Sequence, residues 1–265
     1  MVSNPSQASP SNPPQFTALV PAAGVGRRMG GDTPKPLLPL DEVPILFHTL
    51  ARLRATPGWQ GTVLAVHPEE LAWYREEWEN PLRRAFGVSA ILAGGTCRRE
   101  SVRRALQAAP PDPPIVLVHD AVRPLVRLGV IESTAARANS CGAAVAATPA
   151  VCTIKKVDSH NKIIATPPRD GLWMAQTPQA FSRDILLKAH RHGVEHEIPA
   201  TDDASLVEQL GEKPEVVESS GDNLKITSPE DLAVAEAILQ WQRGQKLPAA
   251  RLSLPDPAEF PTLPG

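Results

Sequence analysis

At 265 residues the chain is long enough for one large α/β domain or two small ones, and its 42% hydrophobic residues supply a substantial core. Its 27 basic and 29 acidic residues leave a net charge of −2, which excludes the basic footprint of a nucleic-acid or anionic-membrane binder, so an anionic ligand must be gripped locally. Cys97, Cys141 and Cys152 are too few and too scattered for a disulfide framework or a zinc site; no apolar run approaches the ~20 residues of a membrane helix, and no secretory pattern opens the chain, so a soluble protein of the reducing cytoplasm is expected.

Residues 1–15 are almost entirely Ser, Pro, Asn and Gln, and residues 245–265 are again proline-rich, so both read as flexible tails around one domain at 16–244. Thr17 to Val20 suit a buried strand, which breaks into a loop carrying Gly24, Gly26, Gly30 and Gly31 with the cations Arg27, Arg28 and Lys35. Strand-like and helix-like runs then alternate: Pro44 to Thr56 (helix), TVLAVHP, Glu69 to Trp78 (helix), VSAILAGG, Glu100 to Ala109 (helix), IVLVHDA, Gly129 to Ser140 (helix) and GAAVAATP. Strands apolar on both faces, alternating with helices, imply a mostly parallel sheet covered by helices, with ligand loops at the strands' carboxyl ends.

The rhythm changes after Pro149. VCTIKKVD and KIIATPPR form two strand-like runs joined by Ser159 to Asn161 with no helix between, which reads as a projecting β-hairpin arm over 150–170. An isolated ribbon is marginal in water, so a second copy of the chain is its expected partner. Helices are expected at Arg183 to His192, at Thr201 to Leu210 with Thr201 or Asp202 as cap, and from Ser228, where Ser-Pro-Glu-Asp is a capping sequence; the short strand EVVESS precedes the last of these.

Three segments carry chemistry. Exposed amides of a glycine loop attract anions, and three added cations exceed what a turn requires. The loop is neither a P-loop, since Gly31 is followed by Asp32, nor a dinucleotide fingerprint, since Met29 stands at the third glycine. His119-Asp120-Ala121-Val122-Arg123-Pro124 closes a strand with a carboxylate suited to Mg²⁺ and a guanidinium suited to phosphate, although an Asp-Arg ion pair closing a turn reads equally well. Gly94 to Ser101 repeats the design of glycines, arginines and a helix start, where Ser101 or Glu100 serves as cap. Asp202 and Asp203 read first as helix-start acids, and the seven histidines show no ligand spacing.

In their order and spacing AAGVGRRM with the following PK, VHDAVRP, RDGLWMAQTPQAF, TDDASLVEQLG and DNLKITSPEDLAVAE resemble the 2-C-methyl-D-erythritol 4-phosphate cytidylyltransferases, over Phe16 to Trp241. The resemblance implies a glycosyltransferase-A-like, Rossmann-like sheet and transfer of CMP from CTP to the polyol phosphate with release of pyrophosphate, supported by Mg²⁺ or Mn²⁺. It implies that Ala22, Ala23, Gly24 and Gly26 surround the nucleotide and that Arg28, Lys35 and Lys225 are catalytic cations on its phosphates. Gly95, Arg98 and Ser101 match the base and ribose loop. Asp120, Ala121 and Arg123 match the strand end that holds metal-nucleotide and substrate, with Asp120 the metal residue, and Arg169 and Thr201 match residues gripping the acceptor. The arm of such enzymes crosses to a partner in a homodimer, so Arg169 would act in the neighbouring site. Pro36 and Leu37 stand where the family usually has Gln and Tyr, and HDAVRP is also similar to ribitol-5-phosphate cytidylyltransferases. A nucleotide-binding protein without catalysis is the third reading.

Overall fold

The computed structural model describes residues 12–24 and 34–248 together with Leu252, residues 254–256, Phe260 and Pro261. Its first strand, β1 (Phe16–Pro21), is the expected one, and Phe16, Ala18 and Val20 face one apolar layer while Leu19 faces the other. A short hairpin, β2 (Pro39–Leu40) and β3 (Val43–Pro44), leads to α1 (Ile45–Ala55) and β4 (Trp59–Val66). Then come α2 (Leu71–Trp73), α3 (Glu79–Phe86), β5 (Val88–Ala93), α4 (Arg98–Ala108), β6 (Ile115–Val118), α5 (Leu128–Cys141) and β7 (Ala143–Pro149). The arm follows as β8 (Lys156–Val157) and β9 (Ile163–Ala165), paired antiparallel, and after it come β10 (Trp173–Ser182), α6 (Arg183–Glu195), α7 (Asp203–Glu208), β11 (Glu215–Glu218) and α8 (Pro229–Gly244).

Seven strands form the central sheet in the order β11-β7-β10-β6-β1-β4-β5. The pairs β6-β1, β1-β4, β4-β5 and β7-β11 are parallel, and β10 runs antiparallel between β6 and β7. One face packs under α1, α3 and α5 through Leu46, Phe47, Leu50, Leu82, Phe86, Ile131 and Ala135. The other packs under α4, α6 and α7 through Val102, Leu106, Leu186, Ala189, Leu206 and Val207. Burial of both faces explains why the parallel strands read as continuous apolar runs.

Several local expectations change. The helix expected to stop at Trp78 continues through a π turn, Tyr74–Trp78, into α3. Pro81 is the third residue of α3 and supplies no N–H to the turn before it. Neither Ser101 nor Glu100 caps α4, which starts after Cys97; both side chains reach further back, Ser101 Oγ accepting from Gly95 N at 3.0 Å and Glu100 Oε2 from Thr96 N at 2.8 Å. At α7 the cap is Asp202, which accepts from Ser205 N, and α8 carries the full reciprocal box of Ser228 and Asp231.

The proline-rich stretch at 245–265, read as a flexible tail, contributes Phe260 to an aromatic cluster, with ring centroids 4.4 Å from Phe47, 5.7 Å from Trp78 and 6.1 Å from Phe86. Each such pair adds about 0.5–1.5 kcal/mol beyond area burial. With three such pairs, Phe260→Ala is expected to lower stability by ~2–4 kcal/mol, seen as a thermal midpoint several degrees lower; an unchanged midpoint would show that the contacts contribute nothing.

Candidate active site

The carboxyl ends of the four adjacent parallel strands β6, β1, β4 and β5 open into a cavity of about 570 Å³. Ladder-like bonds continue past the strands and fix its walls: Ala22 N to Ala65 O at 2.7 Å, Gly94 N to Val66 O at 2.7 Å and His119 N to Leu19 O at 3.0 Å. Thr49 Oγ1 on α1 donates to Ala121 O at 2.9 Å and anchors the fourth side. Gly94 and Gly95 are required by close approach. A Cβ on Gly94 would lie 2.4 Å from Ala23 Cβ, and one on Gly95 would lie 2.3 Å from Glu100 Cβ.

Ala22, Ala23, Gly24, Lys35, Gly95, Arg98, Ser101, Asp120, Ala121 and Lys225, which the family resemblance implies for the site, all line this cavity. Lys35 opens a 3₁₀ turn, Lys35–Leu37, whose bonds come from Leu37 N to Pro34 O at 2.8 Å and Leu38 N to Lys35 O at 3.2 Å. Pro36 therefore sits where no N–H is needed, and Leu37 is part of the core. Gly26 and Arg28 lie outside the described residues.

Asp120 is the electrostatic centre. Arg98 Nε lies 3.0 Å from its Oδ1, Lys225 Nζ 2.8 Å from its Oδ2 and Arg123 Nε 3.9 Å from the same oxygen. Its own N–H donates to Thr177 Oγ1 at 3.0 Å. Burial by itself would raise the Asp120 pKa, but Arg98, Lys225 and Arg123 outweigh it and hold the carboxyl well below the usual range. Beside it, burial pushes the imidazole of His119 down to about 4, against its bond to Arg123 O, so this histidine is neutral at ordinary pH.

Three expected ligands stand apart from the cavity. Arg123, its side chain 11% exposed, is not among the residues that line it, and its Nη1 donates to Asn223 O at 2.7 Å, two residues before Lys225. Arg169 lies at the base of the arm, donating to Val151 O, and Thr201 is exposed before α7. Arg98, expected to face the base, spends two of its nitrogens on carboxylates: Nε on Asp120 and Nη1 on Asp203, the latter at 2.6 Å.

Among the described residues no group of three His, Cys, Asp or Glu side chains could hold a metal. Of those residues, Asp120 alone offers a carboxylate to the cavity, and such a donor set suits Mg²⁺ bound mainly through substrate phosphates and water. Sequence reasoning missed Arg104, which also lines the cavity and donates to Gly94 O at 2.8 Å, although its spacing four residues after Glu100 signals a shared helix face. Thr177 and Asn223, which the sequence motifs contain without giving them a role, make the Asp120 contact above and the bond from Asn223 Nδ2 to Thr177 O at 2.9 Å.

A mostly parallel sheet whose strand ends carry a glycine wall, a buried carboxylate and converging cations defines a nucleotidyltransferase fold. Residues 16–241 match the family model of 2-C-methyl-D-erythritol 4-phosphate cytidylyltransferase, and the chain belongs to that family. It is similar to the protein of that name from Syntrophus aciditrophicus, 41% identical over 232 residues that cover 88% of this chain and 99% of the relative. A Syntrophotalea carbinolica relative is 43% identical over 224 residues, covering 83% of this chain and 94% of its own. Among solved structures, the Thermus thermophilus enzyme of the same name superposes with a TM-score of 0.70 at 32% identity, covering 84% of this chain and 98% of that one. The Anaerococcus prevotii 4-diphosphocytidyl-2C-methyl-D-erythritol synthase gives 0.74 at 27% identity, with 85% and 96% covered. The protein is thus an enzyme of the cytidylyltransferase class.

Proposed function

We propose that the cavity binds CTP and 2-C-methyl-D-erythritol 4-phosphate and that an acceptor phosphate oxygen attacks the α-phosphorus in line with departing pyrophosphate. The reading rests on one observation: Lys35, Arg98, Asp120 and Lys225 come from four separate segments and line a single cavity at parallel strand ends. Such a transfer needs no protein nucleophile, because positioning and stabilisation of phosphoryl charge supply the catalysis. Lys35 and Lys225, with Arg28 from the glycine loop, act as the cations for that charge. Asp120 keeps its negative charge and holds Lys225 toward the nucleotide. A Mg²⁺ ion held by Asp120 and the triphosphate would neutralise further phosphate charge.

The arm supports a homodimer. Val151, Val157, Ile163, Ile164 and Met174 are exposed apolar side chains on or beside a two-stranded ribbon that is too small to be stable alone. In that assembly Arg169 and Thr201 would grip the acceptor, Arg169 acting in the neighbouring site. The three cysteines are free and exposed, which suits the reducing cytoplasm, and among the described residues no helix is long and apolar enough to cross a membrane.

The Val122 form of the strand end leaves ribitol 5-phosphate as a second acceptor. Pyrophosphate release from CTP is expected to be at least ~10-fold faster with the methylerythritol phosphate, a discrimination within reach of side-chain contacts. The reverse preference would transfer the assignment to the ribitol compound, and no release with either acceptor would indicate a binding protein.

A further inference from the structure

Behind Arg98 lies a buried pair that the reaction as described does not use. Asp203, the first residue of α7, receives Arg98 Nη1 on Oδ2 at 2.6 Å and faces His190 Nε2 of α6 with Oδ1 at 3.1 Å. The two side chains are 1% and 2% exposed. A carboxylate so deeply buried is tolerated only because both of its oxygens are paired. The start of α7 is itself fastened: Gln179 of β10 donates Nε2 to Asp202 at 2.7 Å and accepts from Ala204 N at 3.2 Å.

A guanidinium held between two carboxylates has its plane fixed, since each charged bond is directional. Here one carboxylate, Asp203, is buried and outside the cavity's lining, and the other, Asp120, lines it. A bond that only tied α4 to α7 would require nothing of Asp120. The continuous line His190-Asp203-Arg98-Asp120 couples the rear of the fold to the carboxylate that orients Lys225.

We infer that Asp203, backed by His190, is a positioning residue that sets Arg98, and through Arg98 the Asp120 carboxylate, for cytidylyl transfer. The inference rests on the function proposed above. It is tested by a double-mutant cycle of Asp203→Asn and Arg98→Ala, with kcat and KM for CTP measured by pyrophosphate release and the folded fraction checked by thermal unfolding. Asp203→Asn is expected to lower kcat roughly 10- to 100-fold in the natural background, as a misplacement of up to about 1 Å does, and by less than about twofold when Arg98 is already alanine. Equal losses in both backgrounds, or an unchanged kcat, would overturn the assignment. If Asp203→Asn does not fold, His190→Asn replaces it in the cycle, with a smaller loss that again vanishes without Arg98; a loss independent of Arg98 overturns the proposal. Failure of the unmodified protein to release pyrophosphate with the methylerythritol phosphate would strike the functional reading, whereas an active protein with an additive cycle strikes only the role of Asp203.

Discussion

Lys35→Ala is expected to lower kcat for pyrophosphate release by about 10²-fold or more while leaving the fold intact. The side chain lines the cavity, but the turn that presents it is held by backbone bonds and by the packing of Pro36 and Leu37, none of which alanine removes. A preorganised cation is worth most where charge moves during reaction, so the loss should fall on kcat rather than on KM for CTP alone. The unusual Pro36-Leu37 pair does not weaken this expectation. Pro36 occupies a position that needs no donor, and Leu37 adds to the core that fixes the lysine's backbone. Steady-state kinetics with a circular-dichroism melt decide it: a kcat close to that of the unaltered protein, with the fold intact, would remove Lys35 from the mechanism.

Asp120→Asn should cost both activity and stability. Removing one partner from a largely buried ionic cluster is an effect of about 3 kcal/mol, and here Lys225 would face a neutral amide while Arg98 would keep only its bond to Asp203. The pH dependence has a definite sign. Burial disfavours the Asp120 anion, but its three cations depress the pKa below that of the unfolded chain, so its stabilisation is complete above an unfolded value of ~4 and is lost as pH falls toward the lower folded value. Asp203 behaves in the same direction, burial being outweighed by Arg98 and His190. Denaturant unfolding should therefore show a gap between the natural protein and Asp120→Asn of ~3 kcal/mol near neutral pH that narrows at pH ~3. A gap that stays constant across this range would mean that the carboxylate's charge is not what the fold uses.

The sequence pattern made the parallel half of the sheet legible, because β1, β4, β6 and β7 are buried on both faces and their apolar runs need no partner to be recognised. It also located Asp120 and the glycine walls, whose chemistry is local to a strand end. β10 escaped notice for a physical reason. Gln176, Pro178 and Gln179 interrupt any strand period, and the register shift between Ala175 and Gln179 absorbs a proline that cannot donate to the ladder. Gln179 is buried because its amide finds Asp202 and Ala204, partners that exist only in the folded chain. Asp203 read as a helix-start acid for the same reason: its cationic partner, Arg98, is 105 residues away. Arg123, implied for substrate phosphate, has one guanidinium nitrogen on the Asn223 carbonyl, a partner 100 residues away that no local pattern announces.

This constellation moves a cytidylyl group rather than only holding a nucleotide. Incubation of the purified protein with Mg²⁺, 2-C-methyl-D-erythritol 4-phosphate and CTP labelled at its α-phosphate tests it directly, with products separated by chromatography. The expected result is label in a cytidine-diphospho product of the acceptor, with unlabelled pyrophosphate formed in equal amount. Label that remains in CTP, or that reaches CMP with no acceptor adduct, would show that the protein does not transfer the cytidylyl group to this acceptor.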